Sequence, residues 1–195
     1  MKMSEKVIKN IVFVGDECVG KTSIIYAFSN KGGFRISYLP TIYDMDETEL
    51  VLDNVRHLVK LQDTDVHNNL TRMLYKDADC FVLCYSISHR DSFENILSRW
   101  YPELHPFGKP IVLVATKNDL TMAVNTVRTK EGEKMKRKIN AKQFLECSAK
   151  NNYNINEVIY EAVRATVVGR PDPTINESCS CCSWPARKIF CCRSN

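Results

Sequence analysis

Short apolar runs and longer amphipathic stretches take turns along this chain. The runs Val7 to Val14, Glu49 to Leu52, Val55 to Leu61, Cys80 to Tyr85, Ile111 to Ala115 and Gln143 to Cys147 read as six strands. Between them, Thr22 to Asn30, Asn68 to Tyr75, Asp91 to Leu104, Thr126 to Lys138 and Ile155 to Val168 carry helical patterns. Strands alternating with helices predict an α/β fold with a mostly parallel six-stranded sheet, helices on both faces and right-handed crossovers. One strand breaks the pattern. Asp53-Asn54 separates the second and third runs at hairpin spacing, so those two strands are expected to pair antiparallel. No internal repeat is visible. After Gly169 the chain reads Arg170-Pro171-Asp172-Pro173, which cannot continue a helix, and then turns Ser- and Cys-rich. This places a domain over residues 1–169 and a flexible tail over 170–195.

Composition narrows the class without naming it. The chain has 195 residues, 44% of them hydrophobic, enough for one good core. Its net charge of +4 is too mild to imply nucleic acid, and no nucleic-acid partner is expected. No run is long enough to span a bilayer and no apolar segment follows a charged N-terminus, so an intracellular location is expected. Nine cysteines would suit a disulfide scaffold in a short secreted chain, but Cys18, Cys80, Cys84 and Cys147 are scattered and five others crowd the tail. The scattered four are expected to be reduced and mostly buried.

The chemistry begins after the first strand. Gly15-Asp16-Glu17-Cys18-Val19-Gly20-Lys21-Thr22 matches G-x-x-x-x-G-K-[ST], the loop that wraps a nucleotide's phosphates. Backbone N–H groups from Gly15, Glu17, Cys18, Val19 and Gly20, with those of the following helix through Ser23, form an anion nest. Lys21 is placed to reach the outer phosphates, and the Thr22 hydroxyl to bind Mg²⁺. A second signal specifies the base. Thr116-Lys117-Asn118-Asp119 ends a strand at the edge of the sheet where ligands sit in open α/β folds. Guanine presents N1–H and N2–H₂ side by side, so the Asp119 carboxylate can take both while the Lys117 stem lies against the ring. Cys147-Ser148-Ala149-Lys150 follows the next strand and completes the set.

Together these residues make the chain resemble the small GTPases of the Ras superfamily, and among them the Rho/Rac type. The Rho-like details are Tyr38-Leu39-Pro40-Thr41-Ile42-Tyr43-Asp44, Asp91-Ser92-Phe93-Glu94-Asn95, Arg99-Trp100-Tyr101-Pro102-Glu103 and Glu146-Cys147-Ser148-Ala149-Lys150. The resemblance implies a Ras-like P-loop G domain that binds GTP or GDP with Mg²⁺ and acts in signal transduction, with actin regulation as the family theme. By the same resemblance Thr41 binds Mg²⁺ and the γ-phosphate, Tyr38 covers the phosphates, Phe34 packs edge-on against the base, and Asp63 holds Mg²⁺ through water. Effectors are expected on Phe34 to Asp46 and on Asp65 to Tyr75, with Met73 and Leu74 also facing exchange factors or the core. A monomer is expected.

Three departures qualify that reading. The stretch from Leu120 to Leu145 is too short for the extra helix that Rho proteins usually insert there. Glu17 stands where the family usually has Gly, adding bulk and negative charge beside the γ-phosphate. After Asp63-Thr64 the family reads Ala-Gly-Gln, whereas this chain reads Asp65-Val66-His67, with no glycine between Gly33 and Gly108. The N–H that senses γ-phosphate and the Gln that orients the attacking water both lack counterparts. His67 is expected at the surface, with a water-orienting role as the alternative. His57, His89 and His105 lack metal-ligand spacing and are expected to be structural or exposed.

The tail carries its own signal. Cys179, Cys181, Cys182, Cys191 and Cys192 stand among Trp184, Arg187, Lys188, Ile189 and Phe190, a mix that suits lipidation and a membrane surface. Arg193 and Asn195 fit a prenylation signal poorly, so palmitoylation of Cys181, Cys182, Cys191 and Cys192 is favoured. A zinc knot or an unmodified tail are the alternatives. The basic run within Lys134 to Lys142 reads as a solvated helix face, and Trp100 and Tyr101 as packing residues. Two functions follow: a hydrolysis-impaired, mostly GTP-bound switch at the cytoplasmic face of a membrane, or a pseudo-GTPase scaffold whose partner binding ignores nucleotide.

Overall fold

The central strands are apolar at nearly every position because the sheet is covered on both sides. In the computed structural model, which describes residues 7–29, 44–52, 54–64, 71–122 and 125–168, β1 (Val7–Gly15), β2 (Asp44–Leu52), β3 (Val55–Asp63), β4 (Cys80–Ser86), β5 (Ile111–Thr116) and β6 (Gln143–Glu146) form one sheet. Their order is β2-β3-β1-β4-β5-β6. Only β2 runs antiparallel, joined to β3 through the expected hairpin with Leu52 opposite Val55 and Asn54 at a φ of 63°. Alternate residues face opposite layers. Cys80, Val82 and Cys84 pack with α1 (Lys21–Ser29) and α6 (Ile155–Val168), while Phe81, Leu83 and Tyr85 pack on the other side.

That second layer holds α2 (Thr71–Asp77), α3 (Arg90–Asn95), α4 (Tyr101–Leu104) and α5 (Thr129–Lys138). The stretch expected as one helix from Asp91 to Leu104 is instead α3 and α4 joined by a π turn over Ile96–Trp100, with a 3₁₀ turn, His105–Phe107, behind it. Its apolar contacts survive the change, since Phe93, Ile96, Trp100 and Leu104 all enter the core. Gly108 then ends the run in the left-handed region at a φ of 62°.

Other boundaries moved for identifiable reasons. The second strand starts at Asp44 rather than Glu49, because an edge strand needs ladder hydrogen bonds more than apolar side chains and its first half is acidic. Likewise β3 runs on through Gln62 and Asp63, two polar residues that are nonetheless buried. The fifth helix starts at Thr129, not Thr126. The Arg128 N–H donates to Glu131 Oε2 at 3.0 Å as a cap, and the Val127 N–H donates to the Ile87 carbonyl at 2.9 Å, holding the preceding residues off the helix axis. No further helix separates β5 from α5 among the described residues, apart from the 3₁₀ turn Asn118–Leu120. The predicted helix start at Asn68, and His67, lie outside the described residues. Within α2, Met73 is 64% exposed and Leu74 half-buried, while the fully buried residue is Tyr75, to which the sequence assigned no packing role. His57 is buried, and Lys134, Arg137 and Lys138 face solvent.

Cys80, Cys84 and Cys147 are free and fully buried, whereas Cys18 is free and exposed. Burial in apolar surroundings pushes the three buried thiols up, Cys147 to about 12. A neutral buried thiol is inert. Brief alkylation of the native protein followed by peptide mapping is therefore expected to modify Cys18 and leave those three untouched until the domain unfolds; native-state labelling of Cys84 would contradict this packing.

Candidate functional site

β1, β4 and β5 are parallel neighbours, and the loops at their carboxyl ends gather on one edge of the sheet. The first of them is the phosphate loop. It can bend sharply because Gly15 has a φ of 144°, and a Cβ there would lie 2.2 Å from the Cys84 carbonyl oxygen, so no side chain fits. Gly20 has a φ of 106°, a backbone conformation that residues with a side chain rarely adopt. Cys18, at a φ of 57°, is also left-handed. Lys21 is nearly buried, and its Nζ folds over the loop to donate to the carbonyls of Gly15 at 3.0 Å and Asp16 at 2.9 Å. Such a lysine is a fixed cation at the mouth of a nest of N–H groups, a place suited to phosphate.

Beside it, the Thr22 hydroxyl donates to Asp63 Oδ2, and the neighbouring Thr64 hydroxyl donates to the Phe13 carbonyl at 2.7 Å. The structure thus joins two of the three residues expected to serve Mg²⁺. They are hard oxygen donors, the kind that ion prefers. Thr41, with Tyr38 and Phe34, lies outside the described residues. Glu17, within the loop, is exposed.

The residues expected to read the base form a second cluster. Lys117 sits in the left-handed region, with φ 58° and ψ 38°, a conformation that costs on the order of 1–3 kcal/mol outside glycine. Two contacts hold it there: its Nζ donates to the Cys18 carbonyl at 2.7 Å, and the next N–H, of Asn118, donates to the Cys147 carbonyl at 3.0 Å. Thr116 adds a second tie, its hydroxyl placed between the carbonyls of Val19 and Tyr85. Both halves of the site are therefore braced against each other. Asp119 is held by Ser148, whose hydroxyl donates to Oδ1 at 2.6 Å, while Lys150 Nζ stands 4.0 Å from Oδ2. Asn152 and Asn154 adopt positive φ to turn the chain around Ser148, a conformation that asparagine tolerates.

Gly20, Ser23, Ile24, Thr116, Lys117, Asp119, Leu120, Ala149 and Lys150 enclose a cavity of about 330 Å³, at the small end of the range for ligand pockets. Its walls are largely apolar stems, with one carboxylate at the edge. A flat ring bearing adjacent donors matches that lining. Sequence reasoning named most of this set but gave no role to Asp16, whose carboxylate accepts hydrogen bonds from Asn95 and Trp100.

Fold and site define a P-loop α/β domain in which a phosphate nest and a base pocket share one sheet edge. The chain belongs to the Ras superfamily, as a Rho-type small GTPase: a sequence model described as the Ras family matches residues 10–167. It is 40% identical to the Ras-like GTP-binding protein RhoL of Drosophila melanogaster over 176 residues, covering 87% of this chain and 92% of that protein. It is 34% identical to the GTP-binding protein rho3 of Schizosaccharomyces pombe over 180 residues, or 86% of this chain and 87% of that one. A third relative, the Rho-related protein racC of Entamoeba histolytica, is 32% identical over 186 residues, 87% of this chain and 95% of the relative. Proteins of this family are GTP-binding signalling switches, and Rho-type members generally bind effectors and exchange factors.

Proposed function

We propose that this protein is a signalling switch that binds GTP or GDP with Mg²⁺, hydrolyses GTP poorly and rests mostly in its GTP form. One observation carries the reading: Glu17 stands within a phosphate loop whose other parts, Lys21, Thr22 and the partnered Asp63, are in place beside a formed base pocket. Binding chemistry is retained and only the hydrolytic parts are altered. Thr22 and Asp63, with Thr41, would hold Mg²⁺; the ion supplies charge neutralisation for the phosphates when bound. Lys21 offsets phosphate charge, Asp119 accepts from the base, and the Lys117 stem packs against it.

The switch acts at the cytoplasmic face of a membrane through the lipidated tail of residues 170–195. Effectors dock on residues 34–46 and 65–75, exchange factors share the second of these, and actin organisation is the output by kinship. Because abundance and location rather than hydrolysis then set its activity, the nucleotide that copurifies with the protein is the direct check. GTP is expected; bound GDP would refute the impaired hydrolysis, an empty protein would favour the nucleotide-independent scaffold, and bound ATP would overturn the base assignment.

Base choice gives a second check. In titrations with labelled nucleotides the protein should take GTP and GDP far more tightly than ATP. Asp119→Asn should shift preference toward xanthine nucleotides, because an amide offers a donor where guanine also presents one. A site built to pair polar groups rejects the mismatched ligand by about 10⁴-fold or more. Equal affinity for GTP and ATP would overturn the base assignment.

A further inference from the structure

Asp16 is the first variable residue of the phosphate loop, and its side chain has two distant partners. Asn95 Nδ2 donates to Oδ2 at 2.7 Å, and Trp100 Nε1 donates to Oδ1 at 2.7 Å, across 79 and 84 residues of chain. Both carboxylate oxygens are thereby occupied by donors from one helical segment. The same residue's backbone carbonyl accepts from Lys21 Nζ at 2.9 Å. Asp16 therefore links the phosphate-facing lysine to the second helical layer.

This contact depends on the π turn. Residues five apart on an α-helix point about 140° away from each other. Here the Tyr101 N–H donates to the Ile96 carbonyl, five residues back, and the widened turn brings Asn95 and Trp100 round to the same carboxylate. Trp100 is only 2% exposed, and the Arg99 guanidinium lies 4.4 Å from its ring centroid. The indole is clamped on one face and directed at Asp16 by its N–H. An α-helix through this stretch would bury the same apolar side chains but aim one donor elsewhere.

From this geometry we infer that Asp16 is a positioning residue: the clasp of Asp16 with Asn95 and Trp100 anchors the phosphate loop to the π turn and sets how long nucleotide stays bound. The inference rests on the nucleotide-binding reading for its kinetic consequence, but the clasp has a readout of its own in the loop's rigidity. A carboxylate beside an anion site opposes the anion unless it is engaged. The two donors engage it, and they hold the backbone that carries the nest.

Trp100→Phe removes the N–H and keeps the ring, and Asp16→Ala removes the carboxylate. Each is expected to speed release of a fluorescent GDP from the full chain about tenfold, the scale of losing one hydrogen bond to a charged group. Each is also expected to speed amide hydrogen exchange of the segment 15–22 in the nucleotide-free protein. The double variant should be no faster than Asp16→Ala alone, since both changes cut the same link. Thermal unfolding of each variant separates this from general damage. Unchanged loop exchange in both single variants, or fully additive effects in the double variant, would overturn the clasp. If the unaltered protein took up no GDP, the nucleotide-binding reading would fall, and loop exchange alone would still decide the clasp.

Discussion

Single-turnover GTP hydrolysis by this protein is expected to run about 10²- to 10³-fold slower than in a small GTPase that keeps the loop glycine and the switch glutamine. Removing one preorganised group from a transition state costs about that much. A Rho-type GTPase-activating protein is expected to add nothing measurable, since an arginine finger contributes about 10³- to 10⁵-fold only when it can reach the γ-phosphate. By the family resemblance, Glu17 occupies the loop position past which that finger would pass. Like charges about 4 Å apart repel by about 4 kcal/mol at an effective dielectric of 20 and by about 1 kcal/mol in bulk water. The exposed side chain falls between those limits, so its charge hinders without preventing nucleotide binding.

The second loss is independent of the first. By the same resemblance Asp65-Val66-His67 stands where the family carries the water-orienting segment, so Glu17→Gly alone is not expected to restore hydrolysis. Measured with radiolabelled GTP preloaded on the purified protein, robust stimulated turnover would refute the impairment. It would direct attention to His67 as the water-orienting group, testable by His67→Ala.

Membrane association is expected to vanish when Cys179, Cys181, Cys182, Cys191 and Cys192 are all replaced by serine. Stable anchoring takes two signals, and this tail combines several acylatable cysteines with Arg187 and Lys188, plus Trp184, Ile189 and Phe190 as interfacial side chains. Each basic residue near an anionic leaflet contributes roughly 1 kcal/mol, too little to hold the chain alone. Among the described residues no helix is long and apolar enough to cross a membrane. Fractionation of cells expressing the full chain, the five-serine variant and Cys192→Ser tests the proposal. The single substitution should leave much of the protein in the membrane fraction, because other cysteines remain. Retention of the five-serine variant at the membrane would defeat lipidation. Release by Cys192→Ser alone would assign attachment to that one residue, as a prenyl group requires.

The phosphate loop was legible at once because its demands are local. A strand, a turn tight enough to exclude any side chain at Gly15, and a helix start bearing Lys21 and Thr22 occupy consecutive residues, so spacing alone encodes them. The same holds for the hairpin at Asp53-Asn54 and for the alternation of β4 between two cores. Lys117 and Asp119 could be named from the chemistry of guanine, although not the manner in which they are held. Legibility failed where polar residues form regular structure. The acidic half of β2 and the buried pair Gln62 and Asp63 are strands by virtue of their partners, and hydropathy does not report partners.

The chain by itself determined the layer architecture and the motifs that mark its family, because apolar periodicity and short motifs reflect physical requirements satisfied within a few residues. Tertiary structure decided how those parts are held. Lys117 reaches Cys18 across 99 residues, Ser148 reaches Asp119 across 29, and Trp100 reaches Asp16 across 84. A hydrogen bond tolerates only tenths of an ångström, so its existence depends on the paths of two backbone segments at once. The π turn at Ile96–Trp100 shows this most plainly: apolar periodicity reads straight through it, Pro102 just beyond it cannot donate to the α ladder, and the donors the wider turn presents meet the carboxylate of Asp16.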